Sequence, residues 1–367
     1  MEAVLTMAGK FEKKKGAAPR KAEKSKSTRS RFWLKVLIVV LSIVLALLIA
    51  IAAAISFVLD NLGRFDDPAQ VPEDTTPITD EFDTDSTIAG QETIQTVAAT
   101  DVTFEEVEEL VGEDIVNIML IGQDARPGEG RARSDSMILV TLNPQKNAIQ
   151  MTSFMRDTYV QIPGYVNNRL NVAYRYGGNE LMNETFRINF GVQIDGNVMV
   201  NFNEFSTIID MLGGVDMELN QEEVNYMHGE GCYDIVVGTN HMDGEEALTF
   251  VRMRYVSGGD YGRTERQRRV LGAVAESLQD SSIATITALI KDLLPHVVTN
   301  LTDAQILSYA TTGVALMANG AEIQTYRIPE DDAHYGAMID GMSVLVPDLD
   351  ECRSDLEQFI YATEPAE

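Results

Sequence analysis

The chain has 367 residues, with 29 Lys+Arg against 56 Asp+Glu and a formal net charge of −27 at pH 7. So acidic a chain is excluded as a nucleic-acid binder, which needs a basic face. Its two cysteines, Cys232 and Cys352, exclude a disulfide scaffold and leave open whether they pair.

Charge divides the chain into blocks. Residues 1–35 hold 11 basic and 3 acidic side chains, a net of +8, and everything after residue 59 carries a net of −35. Between them, residues 36–59 (VLIVVLSIVLALLIAIAAAISFVL) are uncharged, and only Ser42 and Ser56 are polar. About 20 apolar residues cross a bilayer as a helix, whereas a cleaved signal has a shorter apolar region of about 7–15. The run therefore predicts one uncleaved transmembrane helix. Phe32 and Trp33 stand at the aromatic belt, and the basic block before them places the N-terminus in the cytoplasm. Residues 60–110, rich in Pro, Thr, Asp and Glu, bury too little apolar surface to fold and read as a flexible acidic stalk. Residues 111–365 are long enough for one sizeable α/β domain outside the membrane.

Within that domain DIVNIMLIG (114–122) predicts a buried strand closed by glycine. Across 136–155, two apolar runs flank Asn143, Pro144, Lys146 and Asn147, which predicts strand, turn, strand. GNELMNETFRINF and FNEFSTIIDMLGG predict helices, the second stopped by Gly213 and Gly214. VDMELN predicts a strand and QEEVNYM a short helix; MDGEEALTFVRMR predicts a helix capped by Asp243. A longer helix is expected from Arg263 to Leu278, two more over about 283–297 and 302–318, a strand at EIQTYRIP and a closing helix at DLDECRSDLEQFIY. The mixture points to an α/β sandwich with a mixed central sheet.

The arginines carry the chemical signal. After residue 35 only Lys146 and Lys291 are lysine, against sixteen arginines, and arginine is the residue of bidentate carboxylate or phosphate recognition. Arg126, Arg131 and Arg133 fill the loop after the first strand, Arg156 ends another, and Arg252 and Arg254 end a helix. In GDYGRTERQRR (259–269), Arg263, Arg266 and Gln267 continue the helical stripe of Val270, Val274 and Leu278, so they line an inward cavity and need an anion there. Arg268 and Arg269 fall off that stripe and read as surface. Asp124 and Asp135 flank the first loop's arginines. They fit internal salt bridges, or a Mg²⁺ site completed by substrate phosphate oxygens. The four histidines lack metal-ligand spacing, and neither a dinucleotide-binding GxGxxG in strand–turn–helix context nor a GxSxG nucleophile elbow occurs.

The pieces LIGQDAR, RSDSMILVTLNP, SFMRDTYVQIPG, NRLNVAYRYGG, MLGGVDMELN, MDGEEALTFVRMR and GGDYGRTERQRRV, in that order over about 114–275, resemble the LytR-CpsA-Psr (LCP) family of cell-envelope glycopolymer ligases. Ser136 stands where the family usually has threonine, Phe154 and Met155 where it has Ile-Pro, and Arg169 where lysine is common. The resemblance implies an α/β/α sandwich with a mixed sheet, preceded by one membrane helix in a Gram-positive-type envelope. It implies a phosphotransferase that moves a glycopolymer from a polyprenyl-pyrophosphate carrier to the muramic acid C6 hydroxyl of peptidoglycan. Asp124 and Asp135 would hold Mg²⁺, with Mn²⁺ as a substitute. Arg126, Arg133, Arg156, Arg169, Arg252, Arg254, Arg263 and Gln267 would bind the pyrophosphate, with Arg126, Arg263 and Asp260 catalytic. Asp260 would either accept the attacking hydroxyl's proton or order Arg263. The polyprenyl chain would need an apolar tunnel. A lipid-pyrophosphate hydrolase and a non-catalytic binder of anionic lipid-linked glycans are the alternatives.

Overall fold

A computed structural model describes residues 95–362, apart from 106, 113, 124–131, 255, 257, 280 and 282. The basic segment, the predicted membrane helix and the stalk up to residue 94 lie outside them; among the described residues no helix is long and apolar enough to cross a membrane.

In chain order the strands are Gln95–Thr96 (β1), Val116–Gln123 (β2), Ser134–Asn143 (β3), Ala148–Phe154 (β4), Tyr159–Val160 (β5) and Asn168–Arg169 (β6). Helix Asn171–Phe190 (α1) is followed by Gly196–Asn201 (β7), Phe202–Met211 (α2), Val215–Leu219 (β8), Gln221–Gly229 (α3) and Gly238–Met242 (β9). Then come Gly244–Arg252 (α4), Gly259–Leu278 (α5), Ile283–Leu293 (α6), Val298–Thr299 (β10) and Asp303–Ala318 (α7). Glu322–Ile328 (β11), His334–Ile339 (β12), Met342–Pro347 (β13) and Leu349–Leu356 (α8) complete the domain.

Six strands form the central sheet in the order β10-β7-β2-β3-β4-β11. It is mixed: β2/β7 and β4/β11 are parallel, and β2/β3, β3/β4 and β7/β10 antiparallel. The β3–β4 hairpin turns where the sequence places it, with Asn147 in the left-handed region at φ 47°, a conformation asparagine tolerates better than most residues.

Alternation along the strands assigns the sheet's two faces. Met119, Ile121, Met137, Leu139 and Phe154 pack with Phe186 and Phe190 of α1 and with Cys352 and Leu356 of α8 in the main core. The opposite face carries α5 and α7. A second core joins α2, α3, α4 and the β8–β9 hairpin to the middle of α5, through Ile209, Met227, Phe250 and Val270. Side-chain caps start its helices: Asn220 opens α3 and Asp243 opens α4, each in a capping box.

Several expectations need correcting. Val97, Ala99, Val102 and Phe104, within the predicted stalk, pack on the cluster of β12 and β13. The part of the predicted stalk from Gln95 onward is therefore laid against the domain. α5 starts at Gly259, four residues earlier than expected. The helix expected over about 283–297 ends at Leu293, because Pro295 sits in a following 3₁₀ turn, and Val298–Thr299 joins the sheet edge instead. Cys232 and Cys352 are both free and belong to different cores.

One hairpin contact yields a pH prediction. His241 Nδ1 lies 2.7 Å from Asp216 Oδ1, and Nε2 lies 2.8 Å from the Gly213 carbonyl. Two acceptors require both ring nitrogens to carry hydrogen. The carboxylate, and after it the carbonyl, raise the imidazole's pKa above its ordinary 6.5. A raised folded-state pKa gives stability that is fully present below the unfolded value and is lost as pH rises through the folded one. Wild type is therefore expected to lose stability relative to His241→Ala as pH rises from about 6.5. Paired thermal melts across that range check this, and parallel Tm profiles would exclude it.

Candidate active site

The site forms where α5 begins, beside the ends of β3, β4 and α4. Gly258 and Gly259 both have positive φ, 91° and 52°, which glycine adopts at little cost. A side chain on Gly258 would come within 3.1 Å of the Gly262 backbone. This tight entry sets Asp260 and Arg263 on the first turn of α5, where Arg263 Nη2 donates to Asp260 Oδ2 at 2.9 Å.

Arg156, just past β4, ties this turn to β3. Its Nη1 donates to Asp135 Oδ1 at 2.9 Å, and its Nε lies 3.4 Å from Asp260 and 3.5 Å from Asp157. Burial opposes its charge, but Asp157, Asp260 and Asp135 outweigh that and raise its pKa. Asp157 also lies 3.6 Å from Arg169 Nη1. Burial raises the Asp157 pKa even against Arg156 and Arg169. Arg169 thus acts at one remove, through Asp157.

Arg263 is only 4% exposed, and its Nε and Nη1 are buried without a hydrogen-bond partner. Burial lowers its pKa. A buried guanidinium with unused donors is costly in an isolated protein. The side chain keeps unused donor capacity for an anion.

The side chain borders a cavity of about 480 Å³, lined on this side by Asp135, Ser136, Arg252, Arg254, Arg263 and Gln267. Ser136 Oγ donates to Gln267 Oε1 at 2.9 Å. Arg252 is held 4.7 Å above the Phe202 ring, a cation–π contact. Six of the sequence-predicted residues (Asp135, Arg156, Arg252, Arg254, Arg263 and Gln267) thus converge with Asp260. Arg133 is half-buried one residue before β3. Asp124, Arg126 and Arg131 lie outside the described residues.

Two readings of α5 are overturned. Arg266 does not line the cavity; its Nη2 donates to the Met253 carbonyl at 2.8 Å. Arg268 and Arg269 are half-buried rather than freely solvated. Arg269 pairs with the buried Glu223 at 2.6 Å. Arg268 has buried Nε and Nη1 without partners, and burial, aided by Arg327, pushes its pKa down to about 10. The structure adds Asp157, Tyr226, Glu230, Glu245 and Thr249, which the sequence reading passed over. Only Asp157 carried a signal, as the direct neighbour of Arg156.

No group of three or more metal-ligating side chains occurs among the described residues. Asp135 is nonetheless a partly exposed carboxylate on the cavity wall. One such oxygen donor fits Mg²⁺, which keeps few protein ligands and takes the rest from waters and phosphates.

The sheet face under α5 and α7 is less completely buried than the face under α1. In β2 the residues turned to α1 are buried, whereas Ile118 and Leu120 on the other face are only half-buried. Val140, Tyr309 and Met317 nearby are also half-buried.

Arginines around a cavity and one carboxylate on its wall mark a mixed α/β domain with a locally basic pocket. The chain belongs to the LytR_cpsA_psr family, whose model matches residues 82–358. It is similar to a Bacillus cereus protein named polyisoprenyl-teichoic acid–peptidoglycan teichoic acid transferase TagU, 36% identical over 219 residues, covering 59% of this chain and 69% of the relative. A protein of the same name from Oceanobacillus iheyensis is 38% identical over 197 residues, covering 52% of this chain and 60% of the relative. Among solved structures, B. subtilis TagV aligns at TM-score 0.54 with 27% identity, over 69% of this chain and all of that one. The fold is also that of YwtF (TagT) with bound octaprenyl pyrophosphate lipid, at TM-score 0.53 and 22% identity, over 74% of this chain and all of that one.

Proposed function

We propose that the chain transfers a glycopolymer from a polyprenyl-pyrophosphate carrier to the muramic acid C6 hydroxyl of peptidoglycan. The carrying observation is Arg263, buried at the cavity wall with two guanidinium nitrogens that have no hydrogen-bond partner in the protein. The names of the TagU relatives support the same reading.

In this reading the acceptor hydroxyl oxygen attacks the phosphorus attached to the glycan. A new P–O bond forms, the bond to the bridging oxygen breaks, polyprenyl phosphate leaves, and the hydroxyl proton passes to a phosphate oxygen of that leaving group or to water. Arg263, Arg252 and Arg254 meet the charge that develops on the pyrophosphate oxygens, and preorganised donors of this kind carry most of such an acceleration. Arg156 locks Asp135 and Asp260 in place. Of the two roles open to Asp260, its hydrogen bond to Arg263 favours ordering that arginine. Asp135, with Asp124, would hold Mg²⁺ or Mn²⁺, which when bound supplies positive charge to the phosphate oxygens. The membrane helix at 36–59, with the domain on the outer side, belongs to the same proposal, since it would keep the site near a lipid-anchored donor.

The test incubates the full chain in detergent with a polyprenyl-pyrophosphate-linked saccharide and peptidoglycan fragments, with and without Mg²⁺. Mass spectrometry should find polyprenyl monophosphate together with a glycan–phosphate–muropeptide adduct. Release without the adduct would replace transfer by hydrolysis, and binding without release would leave only a binder.

A further inference from the structure

The first turn of α5 is fastened from outside the cavity. Tyr261 follows Asp260 and precedes Arg263 on that turn, yet neither Tyr261 nor its partner His334 is part of the cavity wall. The Tyr261 hydroxyl lies 2.7 Å from Nε2 of His334, the first residue of β12. His334 Nδ1 lies 2.6 Å from the Glu330 carbonyl. A carbonyl only accepts, so Nδ1 carries hydrogen, and Nε2 of the neutral ring accepts from the tyrosine. Burial pushes the Tyr261 hydroxyl up to about 12, so it keeps the hydrogen it donates. Arg327 of β11 stacks on the tyrosine ring, its Cζ 4.2 Å from the centroid, and its Nε donates to the Pro329 carbonyl at 3.1 Å. The same hairpin also grips the strand side of the site. Leu345 of β13 donates its backbone N–H to the Asp157 carbonyl at 2.9 Å, and Tyr159 packs among Ala337, Ile339 and Val344. One strand of the hairpin thus holds the turn that carries Asp260 and Arg263, and the other holds the segment that carries Arg156 and Asp157.

We infer that Tyr261 and His334 are positioning residues for Arg263. They fasten the first turn of α5 to the β12–β13 hairpin, so that Arg263 keeps its place against Arg156, Asp260 and the cavity wall. The inference rests on the transfer reaction proposed above, in which Arg263 meets charge that develops as the bond breaks. Loss of an interaction made only in the transition state lowers kcat and leaves KM in place.

The test compares wild type, Tyr261→Phe, His334→Asn, His334→Gln and the double variant Tyr261→Phe/His334→Asn, each as the full chain in detergent. Turnover is measured with the polyprenyl-pyrophosphate-linked saccharide and peptidoglycan fragments, and hydrogen–deuterium exchange follows the backbone amides of 259–266. Phenylalanine keeps the ring under Arg327 and removes the hydroxyl. Asparagine places its amide near Nδ1 and loses the tyrosine, whereas glutamine places its amide near Nε2 and keeps it. A misplacement of about 1 Å can cost about 10²-fold, so Tyr261→Phe and His334→Asn should each lower kcat by about tenfold or more. The KM for the donor should stay within about twofold. The double variant should be no slower than the slower single one, because both remove the same contact. His334→Gln should recover most of the rate, and exchange at 259–266 should quicken only in the variants whose kcat falls. Unchanged kcat in both single variants, or losses that multiply in the double variant, would overturn the inference. If wild type turns nothing over, the transfer reading falls by itself; quickened exchange in Tyr261→Phe and His334→Asn would then sustain the positioning role, and unchanged exchange would overturn it.

Discussion

Arg263→Ala is expected to lower kcat about a thousandfold while the domain keeps its fold. One preorganised donor at a developing oxyanion is worth about 10²–10³ in rate, and an arginine acting on a transferring phosphoryl group about 10³–10⁵. Removing a buried charge normally unfolds a protein when it strands a partner. Here the partner is not stranded, because Asp260 still faces Arg156 at 3.4 Å. What disappears is a guanidinium with two buried nitrogens already lacking partners. The Tm of the variant should therefore match or exceed that of wild type, the signature of a residue kept for function at a cost in stability. Arg263→Lys keeps the charge and loses the planar fork, so it should restore only a small part of the rate. Turnover assays and thermal melts on the same preparations check both halves. Normal turnover in Arg263→Ala would remove Arg263 from the reaction, and a collapse in Tm would make it a structural residue.

How far the sequence reaches depends on which forces are local. The β3–β4 hairpin and the cap at Asp243 rest on short-range chemistry, and the structure has both; the Asn220 cap carries the same local signal, but the sequence reading puts Asn220 at the end of a strand. The β12–β13 hairpin also had a local signal that the reading passed over: Asp340 and Gly341, both at positive φ, between two apolar runs. Periodicity on α5 put Arg263 and Gln267 on a cavity wall, where they stand, and failed at Arg266. A helical stripe reports that a residue faces inward, and α5 has two interiors, the cavity and the second core. Asp157 and the wall of Tyr226, Glu230 and Glu245 come from segments distant in the chain, so their convergence is a product of tertiary packing that spacing does not encode.

Arg269 shows the same limit on the stability side and carries the largest expected loss of stability. Glu223 is only 2% exposed, and its carboxylate sits between two uses. Oε2 accepts from the Asn220 backbone to close the α3 capping box, and Oε1 takes Arg269 Nη1 at 2.6 Å. Arg269 also donates to the Glu218 carbonyl and lies 5.0 Å above the Phe250 ring. One side chain of α5 therefore pins α3, α4 and β8 together. Breaking a buried pair by removing one partner costs about 3–5 kcal/mol, because it leaves a buried charge uncompensated. Arg269 is itself 30% exposed, and water reaching the vacated space would soften the loss to about 3 kcal/mol, the low end of that range. Arg269→Ala should thus unfold at clearly lower urea than wild type, whereas Arg269→Ala combined with Glu223→Gln should recover much of the difference by removing the stranded charge. Chemical denaturation of the four proteins in that cycle measures the coupling. If the double variant were no more stable than Arg269→Ala, the contribution of Arg269 would lie in its packing on Phe250 rather than in its pairing with Glu223.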